Sequence, residues 1–181
     1  MTQVMDYVVK YTLPDVDVCP DIIKQLEERD NWESHTWYDN TEDKRSQTGD
    51  FVVKTSEEAM THLQPAVSGA LIDYARQKMG MYAQHFSNTT IRFNKYDTGQ
   101  GIQPHVDHIH SIFQSRPAGI PILSLVGCLN DDYEGGQFHI CDKPVDIKAG
   151  EFIIFPSVFL YPHYVSSVTK GLRYSWVSWA C

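Results

Sequence analysis

The sequence lacks several features that would fix its class at once. Its four cysteines, Cys19, Cys128, Cys141 and Cys181, form no Cys-x-x-Cys pair and no dense framework. Structural zinc and a disulfide scaffold are thereby set aside in favour of reduced thiols. No apolar run approaches the roughly 18 residues of a membrane-spanning helix, and no charged-then-apolar leader opens the chain. A soluble, cytoplasmic chain without a membrane partner is expected. There is no GxxxxGK phosphate loop, no GxGxxG fingerprint and no internal repeat. Positive charge is scarce: 15 Lys and Arg against 23 Asp and Glu give a formal charge of −8, which argues against nucleic acid as a partner.

What is present is a folded chain of one-domain size, 181 residues with 42% apolar content. We expect a single domain over residues 1–181, with helical support at about 15–82 and a β core at about 83–180. A first strand is predicted at Tyr7 to Tyr11. In "CPDIIKQLEERDN", Pro20 suits a first helical position, and Ile22, Ile23 and Leu26 share one side. The polar stretch "WYDNTEDKRSQTGD" reads as a loop whose aromatics, Trp37 and Tyr38, either rim a site or pin the loop. Thr55 and Glu58 have capping-box spacing ahead of a stripe of Met60, Leu63, Val67, Leu71 and Tyr74, with Pro65 as a kink or start. From about residue 83 onward, short aromatic and β-branched segments alternate with Gly, Pro, Asp and Asn, the pattern of an all-β barrel or sandwich.

One segment, "HVDHIH" at 105–110, concentrates metal-binding chemistry. If 103–110 is a strand, alternation puts His105 and Asp107 on one face and His108 and His110 on the other. One further imidazole would complete a two-histidine, one-carboxylate facial set suited to non-haem Fe(II), and His163, after the apolar run "EFIIFPSVFLYP", is the candidate. A rival set uses His108 and His110 with Glu134 or His163. His62 and His85 lie in helical or junction sequence, and His139 reads as an ordinary strand histidine. Arg173 follows His163 by ten residues. Either it makes a surface or interstrand salt bridge, or, if buried, it needs an anion, and a 2-oxoacid with a second carboxylate is then the candidate cosubstrate, with Ser175 and Tyr96 as further donors.

"RFNKYDTGQGIQPHVD", "ILSLVGCLNDDYEGGQFHI" and "AGEFIIFPSVFLYPHYVSSVTKGLRYSWVSW" resemble the catalytic core of the Fe(II) and 2-oxoglutarate-dependent dioxygenases, in the prolyl 4-hydroxylase-like branch. The likeness covers roughly residues 84–180. It rests on the HxD pair, its YxxGxxxxxH lead-in, the Asn-x-x-x-x-Gly-Gly turn at Asn130 to Gly136, and the His163 to Arg173 ending. The resemblance implies a mainly β fold with supporting N-terminal helices, a double-stranded β-helix (a jelly-roll, cupin-like barrel) whose two sheets close around the iron. It implies iron ligands His105, Asp107 and His163, the distal carboxylate of 2-oxoglutarate at Arg173, and a supporting hydroxyl at Tyr96. The Arg173-x-Ser175 pair is also similar to other branches of the superfamily.

The implied activity is hydroxylation, most simply of a prolyl residue in a peptide or protein, with succinate and CO2 as coproducts and ascorbate as a candidate reductant. Trp37, Tyr38, His108 and His110 are substrate-side candidates, and Leu123, Leu125, Ile153 and Phe155 are expected to wall the site. Another residue or a small metabolite as substrate, and a cupin-like metal-binding or isomerase protein, are the alternatives.

Overall fold

Two helices are where the apolar periodicity puts them, and each buries one stripe. The computed structural model describes residues 3–35, 51–80, 87–107 and 120–181. Helix α1 spans Val18–Glu27 and buries Cys19, Ile22 and Leu26; Pro20 stands third in it rather than first. Helix α2 spans Glu57–Tyr74 and continues as a wider turn at Ala75–Met79. Its cap is Ser56, whose hydroxyl accepts the Ala59 amide at 3.2 Å, one residue later than the Thr55 spacing suggests. The helix runs unbroken through Pro65, which lies on its exposed face, where water can serve the carbonyl that proline leaves unpaired.

The strands are β1 (Val9–Thr12), β2 (Glu33–Ser34), β3 (Val52–Thr55), β4 (Arg92–Tyr96), β5 (Ile102–His105), β6 (Leu123–Cys128), β7 (Glu134–Gly135), β8 (Phe138–Ile140), β9 (Lys143–Val145), β10 (Glu151–Pro156), β11 (His163–Val165), β12 (Val168–Lys170) and β13 (Arg173–Ala180). Tyr7 belongs to a preceding 3-10 turn, Val4–Tyr7, so the first strand starts later than expected. A seven-stranded antiparallel sheet has the order β1-β10-β6-β13-β4-β3-β2, a four-stranded sheet the order β5-β11-β8-β9, and β12 pairs with β7. Strands β2 and β3 fall within the stretch assigned to helical support, and β3 extends the large sheet beyond β4.

The fold is mainly β with N-terminal helices and has double-stranded β-helix strand topology, but the expected barrel is corrected by the pairing. Among the described residues the sheets are open. The large sheet ends at β1 and β2, and the small one at β5 and β9. Alternating apolar sequence states which face is buried and carries no information on whether the outer strands pair, so it cannot distinguish closure from two packed open sheets. The β9 edge, Lys143-Pro144-Val145, carries a charge and a proline without an N–H, features that discourage a further strand.

Both faces of the large sheet are covered. Leu63, Val67 and Leu71 of α2 pack with Phe93, Leu123, Leu125, Phe152 and Trp176 on one side. Val126, Ile153 and Phe155 pack with Phe138, Ile140 and Val165 of the small sheet on the other. Gly127 is directly opposite Trp176 in the β6–β13 ladder, and a Cβ there would run into the indole. Gly127→Ala is therefore expected to cost about 1–3 kcal/mol through overpacking, read as a melting temperature several degrees lower with metal affinity retained. An unchanged melting temperature would show that Trp176 can move aside.

Candidate metal and cosubstrate site

The small sheet brings two distant histidines together. His163 on β11 pairs with His105 at the end of β5, and their rings lie 4.3 Å apart between centroids. Register shifts between His163 and Val165, so β5 carries an extra residue near Pro104; such a bulge re-aims the side chains that follow it. The strand ends at His105 rather than running on to 110, yet Asp107 stays on the same side. His105 Nε2 is 3.6 Å from Asp107 Oδ1, and His163 Nε2 is 3.6 Å from Asp107 Oδ2. The three potential ligand atoms all fall within 4.8 Å of one another.

The hydrogen bonds around the triad prepare it for a cation. His105 Nδ1–H donates to the Gln103 carbonyl at 2.8 Å, and His163 Nδ1–H donates to the Tyr161 carbonyl at 3.0 Å. A carbonyl only accepts, so each Nδ1 carries a proton and each Nε2 is the nitrogen turned towards Asp107. Burial, reinforced by His163, pushes the His105 pKa down to about 4, leaving the neutral ligand form at neutral pH. For Asp107, burial alone raises the carboxyl pKa. His163, His105 and hydrogen bonds from Ser124 and Trp179 outweigh it and hold the group below the usual carboxylate range. Two imidazoles with their Nε2 atoms facing one carboxylate on one side of a cavity fit Fe(II).

Ser124 on β6 donates to Asp107 Oδ2 at 2.6 Å, and Ser157 lies 2.8 Å from the Ser124 oxygen. Since the Ser124 proton is already committed, Ser157 donates into it. This relay orients the carboxylate, and outer-sphere partners of metal ligands are worth about 10–100-fold in affinity. Ser124→Ala is accordingly expected to weaken Fe(II) binding by about that factor with little change in the melting temperature. Wild-type affinity in a metal titration would remove the role.

Arg173 lines the same cavity from β13, together with Tyr96, Ser175, Val126, Phe138 and Val165. It is 2% exposed and makes no ion pair among the described residues. One guanidinium nitrogen donates to Ser175 Oγ at 2.9 Å, while buried Nε has no hydrogen-bond partner among the described residues. The cation sits 5.0 Å from the Tyr96 ring centroid and 5.9 Å from that of Tyr133. Burial raises the Tyr96 pKa against the pull of Arg173 and Arg92, so its phenol remains a donor. A buried cation with an unsatisfied N–H and hydroxyls beside it fits the distal carboxylate of 2-oxoglutarate.

The Asn130 to Gly136 turn seats this arginine. Asn130 accepts the Tyr174 amide at 2.7 Å and donates to the Leu172 carbonyl at 2.7 Å, fixing the turn to the start of β13. Gly136 has φ +58°, and a Cβ there would lie 2.9 Å from Arg173 Cδ and 3.0 Å from the Tyr133 ring. Two constraints, backbone conformation and close approach, therefore require glycine.

Other expectations fare differently. Leu123 and Leu125 face the helices rather than the site, because their alternation partners Ser124 and Val126 point inward. Ile153 and Phe155 lie between the sheets, with Phe155 5.1 Å edge-on to His163. His139 stacks on Tyr164 at 4.5 Å, and His62 is exposed beside Gln25. Trp37, Tyr38, His85, His108 and His110 lie outside the described residues. Phe51, Arg92, Asn94 and Trp179 line the cavity unforeseen. For Arg92 and Asn94 a signal existed: they precede Tyr96 by four and two residues in one strand and so share its face. No helix among the described residues is long and apolar enough to cross a membrane.

Comparison with known proteins bears on this geometry. Residues 91–181 match the family described as the 2OG-Fe(II) oxygenase superfamily. A PKHD-type hydroxylase of Psychrobacter sp. (strain PRwf-1) is 36% identical over 97 residues, covering 48% of this chain and 36% of the relative. The chain thus matches well under half the length of that relative. A prolyl hydroxylase from Trichoplax adhaerens, solved with a peptide fragment of the hypoxia inducible factor oxygen degradation domain, superposes with a TM-score of 0.70 at 18% identity, over 96% of this chain and 82% of the other. A Pseudomonas putida prolyl-4-hydroxylase gives 0.69 at 18% identity, over 97% and 96% of the two chains. The fold is therefore shared with prolyl hydroxylases.

Proposed function

This chain belongs to the 2OG-Fe(II) oxygenase superfamily, and we propose from that premise that it is an Fe(II)- and 2-oxoglutarate-dependent hydroxylase. The observation that carries the reading is the meeting of His105, Asp107 and His163 in one cavity that Arg173 also lines. In this reading the triad holds Fe(II), Arg173 and Ser175 receive the distal carboxylate of 2-oxoglutarate, and Tyr96 donates to it. When bound, the iron and cosubstrate supply oxidative decarboxylation to succinate and CO2 coupled to hydroxylation of a C–H bond.

The protein's own contribution is orientation and exclusion of water. The Nδ1–H bonds to Gln103 and Tyr161 keep both Nε2 atoms aimed inward. Ser124 holds the carboxylate in place. Val126, Phe138 and Val165 keep the space between triad and arginine apolar, which strengthens each charge interaction inside it. A prolyl residue in a peptide or protein is the substrate class we favour, following the prolyl hydroxylases that share the fold. The test is succinate release from 2-oxoglutarate with Fe(II), O2 and proline-containing peptides. Failure of the wild-type protein to bind either Fe(II) or 2-oxoglutarate would overturn the proposal.

A further inference from the structure

A second arginine lines the cavity, and the cosubstrate does not account for it. Arg92, Asn94 and Tyr96 share one face of β4, and in the ladder with β13, Arg173 lies opposite Tyr96 while Val177 lies opposite Arg92. The two arginines are thus about four residues, or roughly 13 Å, apart along the sheet. Arg92 occupies the metal end: Asp107 and His105 are within its electrostatic reach. Its Nε–H donates to Asn94 Oδ1 at 3.2 Å, and its guanidinium carbon stands 5.2 Å from the Trp179 ring centroid. A planar cation resting on an indole and tied at one nitrogen is held in place, and its remaining donors bond to no described residue.

No carboxylate among the described residues forms an ion pair with Arg92. Asp107 is committed to the two histidines, Ser124 and Trp179. The charge balance is uneven. Fe(II) and a 2-oxoglutarate dianion cancel, and among the described residues the charged side chains lining the cavity are Arg92, Arg173 and Asp107, which leaves one positive charge on that part of the wall. In a cavity walled by apolar side chains that excess favours an anion.

Resting on the oxygenase reading, we propose that Arg92 is a specificity-determining residue that anchors a carboxylate of the primary substrate, close to the carbon that is hydroxylated. The substrate is then an acid: either a small molecule with a free carboxylate, or a peptide with an acidic side chain next to the reacting residue. Arg173 and Arg92 divide the work, one holding the cosubstrate at the far end and the other the substrate at the metal end.

The test uses the Mn(II)- and 2-oxoglutarate-loaded protein and reads binding from paramagnetic relaxation of ligand protons, which needs no turnover. Two matched pairs serve as probes: N-acetylproline against N-acetylprolinamide, and acetyl-Pro-Glu-amide against acetyl-Pro-Gln-amide. At least one acid is expected to bind roughly tenfold or more tightly than its neutral partner, and which acid does so identifies the source of the carboxylate. Arg92→Gln should erase that preference and Arg92→Lys retain part of it, with 2-oxoglutarate affinity unchanged in both. Equal or absent binding of acids and amides overturns the inference, as does a preference that survives Arg92→Gln. Weakened 2-oxoglutarate binding in Arg92→Gln overturns it too, by assigning the arginine to the cosubstrate. Failure of the wild-type protein to take up Mn(II) or 2-oxoglutarate is a separate result that removes the oxygenase reading itself.

Discussion

Asp107→Ala is expected to abolish tight Fe(II) binding and, with it, 2-oxoglutarate turnover. Asp107 is the sole carboxylate of the triad, and it lies beside two imidazoles whose Nε2 atoms turn towards it. Without it, a divalent cation would meet two imidazole rings and no anionic ligand to offset the loss of hydration. Because even outer-sphere partners are worth about 10–100-fold in affinity, the loss of a charged ligand should exceed about 100-fold. Asp107→Asn is the sharper variant, since it keeps the size and the chance to accept from Ser124 while removing the charge; its affinity should fall almost as far. The fold should survive in both, because Asp107 lies just past the end of β5 and belongs to none of the apolar clusters. Fe(II) titration with circular dichroism as the control decides the matter. Near-wild-type iron uptake by Asp107→Asn would show that the carboxylate is not a ligand.

Much of this site was legible because strand alternation is a local property. "RYS" places Arg173 and Ser175 together on β13 by alternation, whereas in "HVD" the strand ends at His105 and Asp107, two residues on, keeps to the same side without belonging to it. The partner histidine was harder, since the β5–β11 pairing that sets His163 against His105 spans 58 positions and leaves no local trace. Alternation also fails where both faces are covered. All six residues of β6 are buried, Leu123 and Leu125 under the helices and Ser124 and Val126 towards the small sheet, so apolarity alone could not say which of them wall the site. Ser124 was the readable exception: a buried hydroxyl inside such a strand needs a partner, and here the partner is Asp107. Closure of the sheets was not legible at all, because it depends on edges that hydrophobic pattern does not encode.

Arg173→Ala is expected to raise the 2-oxoglutarate KM by roughly thirtyfold to several thousandfold, the equivalent of about 2–5 kcal/mol for removing one partner of a buried charge pair, while Fe(II) affinity stays near wild type. The separation follows from position: the guanidinium is packed between Tyr96, Tyr133 and Ser175, whereas the metal ligands belong to β11 and the end of β5. Arg173→Lys should be intermediate. It keeps the charge and loses the planar fork, along with the stacking on two tyrosine rings. Stability supplies the second readout. The wild-type chain holds a 2%-exposed cation whose Nε has no hydrogen-bond partner among the described residues, an arrangement that costs free energy until an anion arrives. Added 2-oxoglutarate should therefore raise the melting temperature of the metal-loaded wild type and leave that of metal-loaded Arg173→Ala nearly unmoved. An arginine kept only to brace the sheet would give the opposite pattern, a destabilised variant whose 2-oxoglutarate KM and thermal response matched the wild type.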